Sequence, residues 1–300
     1  MRGRAPVVAF ALAAACLPAW VGPAPITCGA VPGLEPLLRS RDVVLVGEMH
    51  GTVECPAFVG RAVCLALAGG RAVTVGLEIP VEEDSRIRAF LASAGSAGDR
   101  DALLGGAFWQ EPSQDGRSSR AMLALLEDLR RTSHAGSPVH LMLLDSTAFR
   151  GGSERDRAMA VRLRDAIAGA PHDLFLVLTG NIHTRLRQGV PWDPSYEPMG
   201  FVLAHLAPRL AIAALDVAYT GGSAWICETP QPASCGAKTL KGRPDAGSIG
   251  VTLAPAVSAE GYSGFYGVGA LTASPPAMAP TGRDAPHAPV SPGGVGSPSN

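Results

Sequence analysis

The sequence predicts an α/β fold with a mostly parallel central sheet and helices packed on it. Apolar runs at 42–48, 72–79, 139–145, 174–180 and 210–217 alternate with helical stretches at 55–69, 82–94, 118–134, 154–169 and 198–207, and that alternation is the signature of βαβ units. The first four runs (VVLVGE, VTVGLE, LMLLD and LFLVLTG) stop abruptly at Gly, Glu or Asp instead of alternating with polar residues, as strands buried on both faces do. The 300-residue chain is 47 % hydrophobic, enough for a large core.

The helical stretches carry the matching pattern. In 118–134, Met122, Leu123, Leu125, Leu126 and Leu129 form an apolar stripe, whereas Glu127, Asp128, Arg130 and Arg131 face outward. That stripe is expected to be core. Residues 223–270 read as shorter, Gly-rich strands, an antiparallel edge to the sheet.

Both ends read differently from the middle. Residues 1–27 combine the basic MRGR, an apolar stretch from Val7 to Val21 and a Pro-rich approach to Cys28, the layout of an export signal. Leu12 to Cys16 approximate a bacterial lipobox with the Leu one position off, so a lipid on Cys16 is the open alternative to simple cleavage and the one route to a membrane. From Ser274 to Asn300 the chain is Pro, Gly, Ala and Ser with almost no large apolar residue, the composition of a disordered tail. A single domain at 28–273 is expected between them.

Export implies an oxidising compartment for the cysteines. Cys227 and Cys235 flank the turn-rich ETPQPAS and are a candidate disulfide. Cys55 and Cys64 fall on one helix about 13 Å apart, too far to bridge each other, so one of them is expected to pair with Cys28. A formal net charge of −1, with no basic stripe, argues against a nucleic-acid partner.

The chemistry gathers where the apolar runs end, because ligands of open α/β sheets bind outside the carboxyl ends of the strands. Glu48, His50, Glu54, Glu78, Asp145, Asn181 and His183 should therefore share one rim. Glu48 and His50, two apart on extended chain, project together; a carboxylate beside an imidazole raises its pKa and holds one tautomer, the setting of a general base. Gly47 and Gly51 bracket the pair. Glu54 opens the next helix, where it serves either the site or the helix dipole. Glu78 should lie near Glu48, and two such carboxylates need a cation between them: Arg157 or its neighbour Arg155, a metal ion, or protonated His50 and His183. Asn181 can donate to an oxyanion, and His183 can be acid, base or ligand. Glu48, His50, Glu78 and His183 thus suit either a metal-free hydrolytic site or a divalent metal bound by N and O donors. The chain has no G-x-S-x-G elbow and no GxxxxGK[ST] phosphate loop.

These motifs resemble a known superfamily. GEMHGTVE (47–54) looks like the first motif of the erythromycin esterase, ChaN and Tiki proteins, GLEIP (76–80) their Glu motif, ERDRAMA (154–160) their Arg-x-Arg-x-Met-Ala helix, and GNIHT (180–184) their late Gly-Asn-x-His motif. PMGFVLAHL (198–206) and GYSGFYGVGALTASPPA (261–277) look like the closing segments of exported ChaN-like members. His-Gly-Thr-x-Glu is closer to the esterase branch. The resemblance implies a three-layer fold with helices on both faces of the sheet and a site built on Glu48, His50, Glu78 and His183. It implies an exported hydrolase acting on an ester, amide or peptide, metal-assisted or not, in which His50 activates water and Glu48 orients it. The alternative it carries is a ChaN-type haem- or metal-binding protein without turnover, for which Tyr196, Tyr219, Tyr262 and Tyr266 are candidate axial ligands.

Overall fold

The computed structural model describes residues 28–149, 151–243 and 248–278. The expected export signal, including Cys16, and the chain beyond residue 278 lie outside the described residues.

Among the described residues, nine strands and eight α-helices build the body. Strands β1 (Val43–Glu48), β2 (Val73–Pro80), β3 (Val139–Asp145), β4 (Leu174–Gly180) and β5 (Ile212–Ala218) run parallel in the order β3-β2-β4-β1-β5. The five apolar runs of the sequence are these strands, with ends shifted by two residues at most. Beyond β5 the sheet continues through β9 (Gly264–Gly267), parallel to β5, to β8 (Gly250–Leu253), which is antiparallel to β9. A separate antiparallel pair, β6 (Gly221–Cys227) and β7 (Cys235–Lys241), completes the Gly-rich region expected to hold short strands.

Helices cover both faces, giving three layers. Val44 and Val46 of β1 point into one core with α1 (Leu34–Ser40), α2 (Glu54–Ala68), α3 (Asp84–Ala92) and α6 (Arg120–His134). Val43 and Leu45 point into the other, with α7 (Gly152–Gly169) and α8 (Met199–Leu206). Between α3 and α6, α4 (Ala97–Leu104) opens on a Ser96–Asp99 capping box and α5 (Ala107–Gln110) adds a single turn holding the buried Trp109.

The order of the strands locates the site. β1 and β4 are hydrogen-bonded neighbours, yet α2 leaves β1 toward one face and the chain after β4 reaches α8 on the other. The crevice at their carboxyl ends is a topological switch point, where open sheets bind ligands. His50 follows β1 and His183 follows β4.

Cys28 bonds to Cys64 and Cys227 to Cys235. Among the described residues Cys55 is therefore the free thiol, buried beside Tyr266. The body also reaches further along the chain than composition suggested. Ser274 is buried, its hydroxyl accepts from Ala121 N, and Ser274 N and Ala277 N donate to the carbonyls of Gly51 and Ser118. Val53 N donates to Thr272 O, and Arg120 N to Pro275 O. Residues 272–277 thus strap the loop after β1 to the start of α6.

Candidate active site

Two histidines, each held by its own carboxylate, converge on Glu78. His50 Nδ1 donates to Glu48 Oε1 at 2.9 Å. His183 Nδ1 donates to Asp156, at 2.7 and 2.9 Å from its two oxygens. The Nε2 atoms of both rings face Glu78, His50 at 3.6 Å from Oε2 and His183 at 3.7 Å from Oε1. Those two gaps are too long for hydrogen bonds and short enough for one intervening oxygen.

Local backbone explains how Glu78 gets there. The β2/β3 register breaks between Leu77 and Pro80, so Glu78 sits in an irregular end of β2, and Gly180 N of β4 donates to its Oε2 at 2.7 Å. Glu78 and Glu48 are not on adjacent strands, since β4 lies between β2 and β1. His50 spans the distance instead.

The cations between the carboxylates are guanidinium groups. Arg155 Nη2 donates to Glu78 Oε1 at 2.6 Å and to Asp145 Oδ2 at 2.7 Å, its Nε donates to Asp145 Oδ1 at 2.8 Å, and its Nη1 donates to His183 Nε2 at 3.1 Å. Arg117 Nη1 donates to Asp145 Oδ2 at 2.8 Å and lies 3.5 Å from Glu78 Oε1, while its Nε donates to Asp115 at 2.9 Å. Arg157, expected at the rim, points away from it. One residue along α7 turns it about 100° from Asp156, and it pairs with Glu197 on the surface, 56 % exposed.

These partners set the ionisation of the site. Burial would favour a neutral Glu78, but the positive charge around it, the Arg117 and Arg155 guanidinium groups included, outweighs it and holds the carboxyl well below the usual range. Burial likewise opposes charge on His50, yet Glu78, with the hydrogen bond and charge of Glu48 and the charge of Asp115, raises its pKa to about 9. Asp145 is lowered: burial opposes its ionisation, and the Arg155 hydrogen bonds, with Arg117 behind them, prevail.

Above this layer opens a cavity of about 560 Å³, lined by His50, Glu78, Arg117, Asp145, Arg155 and His183 below and by Glu82, Glu83, Phe108, Glu111 and Phe149 toward its mouth. Close backbone contact brings its two sides together. Gly51 and Gly116 both have positive φ, and a Cβ on Gly116 would lie 2.4 Å from Gly51 Cα, so only glycine lets the Arg117 loop meet the His50 loop.

Two expected rim residues, Glu54 and Asn181, are bonded into the scaffold, and Gly47 is packed into it. Glu54 accepts from Thr272 N, tying α2 to the strap. Asn181 donates to Asp216, which also binds Arg243, on the far side of β1 from the cavity. Gly47 leaves room for the turn after β4, since a Cβ there would lie 2.9 Å from Asn181 Cα.

Neither expected cofactor fits. Among the described residues, no group of three His, Cys, Asp or Glu side chains could hold a metal ion. The positions that a cation would take between Glu78 and Asp145 belong to the guanidinium groups of Arg155 and Arg117, and His183 turns Nε2 to Arg155. For haem, acidic side chains and two guanidinium groups take up much of the cavity lining, and none of the four tyrosines lines it. The hydroxyl of Tyr196 donates to Asp156, that of Tyr262 to Asn181 O and that of Tyr266 to Gly47 O, and Tyr219 packs against the core.

No protein-family model matches the chain, and no curated protein matches its sequence. Solved structures do. A mutant of erythromycin esterase EreC in its open conformation matches 82 % of this chain and 94 % of its own, with a TM-score of 0.54 at 13 % identity. The fold is similar to that of this esterase. A Bacillus cereus protein matches 82 % of this chain and 93 % of its own, with a TM-score of 0.50 at 10 % identity. ChaN of Campylobacter jejuni, described with cofacially bound haem, matches 62 % of this chain and 84 % of its own, with a TM-score of 0.40 at 14 % identity. The expected resemblance thus holds at the level of fold, including the three layers and the mostly parallel sheet.

Asp156 and Arg117 were missed in the sequence. Asp156 carried a readable signal: with Met159, Ala160, Leu163 and Ile167 it occupies the buried stripe of α7, and an acid in the apolar phase of a helix is a buried, partnered one. Arg117 carried none, lying in a polar loop that no pattern connects to the strand ends.

Proposed function

We propose that this protein is an exported, metal-free hydrolase of esters or amides. One observation carries the reading: two carboxylate-held histidines meet at an ionised Glu78 beside two guanidinium groups, at the floor of a cavity large enough for a small molecule or a peptide side chain. Hydrolysis of an acyl bond needs a proton removed from water, a proton given to the leaving group, and a positive field for the oxygen that becomes an anion. The two imidazoles can move the protons. Arg117, 23 % exposed and held by Asp115 and Asp145, is the donor best placed to meet a developing oxyanion, with Arg155 behind it. Glu78 supplies the fixed negative charge that the two rings share.

Export is supported by the two disulfides, which suit an oxidising compartment. Mass spectrometry of secreted protein beginning after residue 15 is the expected result, and an intact Met1 on cytoplasmic protein is the contrary one. The ChaN-type alternative has less support, because neither haem nor a metal ion suits the residues around the cavity.

The test is a panel of chromogenic esters and peptide amides presented to the secreted protein. Turnover should fall by roughly 10² to 10⁴ in His50→Gln and His183→Gln, the usual size of general acid–base catalysis, with the fold intact. Full turnover in both variants, or a Soret band in the protein as purified, sinks the reading.

A further inference from the structure

The two histidines have opposite surroundings, and such differences assign acid and base. His50 lies between two carboxylates: Glu48 accepts from Nδ1 and Glu78 faces Nε2. A carboxylate has no proton to give, so both ring nitrogens are best served as donors. Asp115, from the loop before α6, adds a third negative charge. His183 lies between a carboxylate and a guanidinium. Asp156 takes its Nδ1 proton, and Arg155 Nη1, which can only donate, faces Nε2 at 3.1 Å. That fixes the neutral ring with its lone pair on Nε2. Glu78, from β2, is the remaining charge that faces it.

Asp156 is itself over-determined. It is fully buried on α7 and accepts from His183, from the Tyr196 hydroxyl and from Met199 N at 2.7 Å. Three donors are thereby fixed on its two oxygens, so it can neither rotate nor drift toward another partner.

From this contrast, and resting on the hydrolase reading above, we infer that His183 is the general base and His50 the general acid, the reverse of the order their motifs suggest, with Asp156 and Tyr196 as the positioning residues of His183. Water that takes the place of Arg155 Nη1 at His183 Nε2 gives that nitrogen a proton as its oxygen forms a bond to the acyl carbon. The carbonyl π pair moves onto oxygen beside Arg117. When the pair returns, the bond from carbon to the leaving oxygen or nitrogen breaks, and the leaving atom takes the Nε2 proton of His50. The products are a carboxylic acid and an alcohol or amine. His183 ends protonated and His50 neutral. Glu78, 3.7 Å from one Nε2 and 3.6 Å from the other, lies between them and returns the proton through water. The raised pKa of His50, about 9, agrees with its charge in the resting protein.

Nitrogen-15 NMR of the full exported chain with labelled histidine tests the assignment without any substrate, using His50→Gln and His183→Gln to assign signals. At pH 7 the expected result is a doubly protonated His50 and a neutral His183 protonated on Nδ1. In Asp156→Asn the His183 signals should move toward a mixture of tautomers, and Tyr196→Phe should move them less. A neutral His50, or a charged His183, at pH 7 overturns the inference even if Asp156→Asn does not fold. Where turnover is found, kcat/KM should fall as pH rises through about 9. A rate that instead climbs through that range makes His50 the base and also overturns it. An absence of turnover with the expected NMR signals counts against the hydrolase reading and leaves the protonation states standing.

Discussion

Gly180 sits with its backbone N–H on Glu78 and its α-carbon against His50: a Cβ there would lie 2.9 Å from His50 Nε2. One residue thus spaces the two groups on which the proposed chemistry turns, which ties the Gly of GNIH to the His of GEMH across the β1/β4 boundary.

Gly180→Ala should therefore injure catalysis far more than folding. The added methyl displaces the His50 ring by a few tenths of an ångström or more, and misplacement on the ångström scale costs about 10² in rate. Kinetics alongside a thermal melt separate the two effects; a variant of unchanged rate would mean that the ring moves freely.

Arg155 and Arg157 should behave as opposites although they stand two apart. Arg155→Leu strands Glu78 and Asp145 with one cation fewer in a buried network, and breaking such a pair costs about 3–5 kcal/mol. Arg157→Ala removes an exposed pair and should stay within about 0.5 kcal/mol of the parent. Urea titrations of both variants check the contrast, and equal midpoints would refute it.

The two disulfides should differ in weight. Cys28–Cys64 closes a separation of 36 residues and Cys227–Cys235 one of 8. Loop closure entropy assigns roughly 4 kcal/mol to the first and about 2.5 kcal/mol to the second. Replacing Cys28 and Cys64 by Ala should lower the melting temperature more than replacing Cys227 and Cys235, and non-reducing peptide maps should show Cys55 unpaired.

Stability should also report on His50. Its pKa rises from about 6.5 unfolded to about 9 folded, so the stabilising charge is fully present below about pH 6.5 and is lost as pH rises through 9. The parent should lose stability between pH 7 and pH 10, whereas His50→Gln should give a flatter profile in the same titration.

Much of this was legible in the sequence because buried parallel strands need apolar runs and the loops after them carry the polar groups. Glu48, His50, Glu78, Asp145 and His183 all lie at strand ends or within three residues of them, and the strand order brings those ends to one edge of the sheet. What escaped was set by helix phase and by long loops. Arg155 and Arg157 look equivalent in SERDRAMA until the turn of α7 sends one inward and the other out. Arg117 reaches the site only because Gly116 packs on Gly51, a contact between loops 65 residues apart. The tail boundary was misplaced because Ser274 and Pro275 hold the body by backbone hydrogen bonds, which composition does not encode.

The strap formed by residues 272–277 has a bearing on when the site comes into being. It fastens the His50 loop to the start of α6, next to Arg117, and it is the last piece of the body to be synthesised. A growing chain, or a fragment clipped after Leu271, contains every Glu and His motif and still lacks the clasp that sets two walls of the cavity. Contacts so distant in sequence close late in folding. On the hydrolase reading proposed above, competence is conferred only once residues 272–277 are in place, and a chain that lacks them is kept from attacking whatever lies nearby.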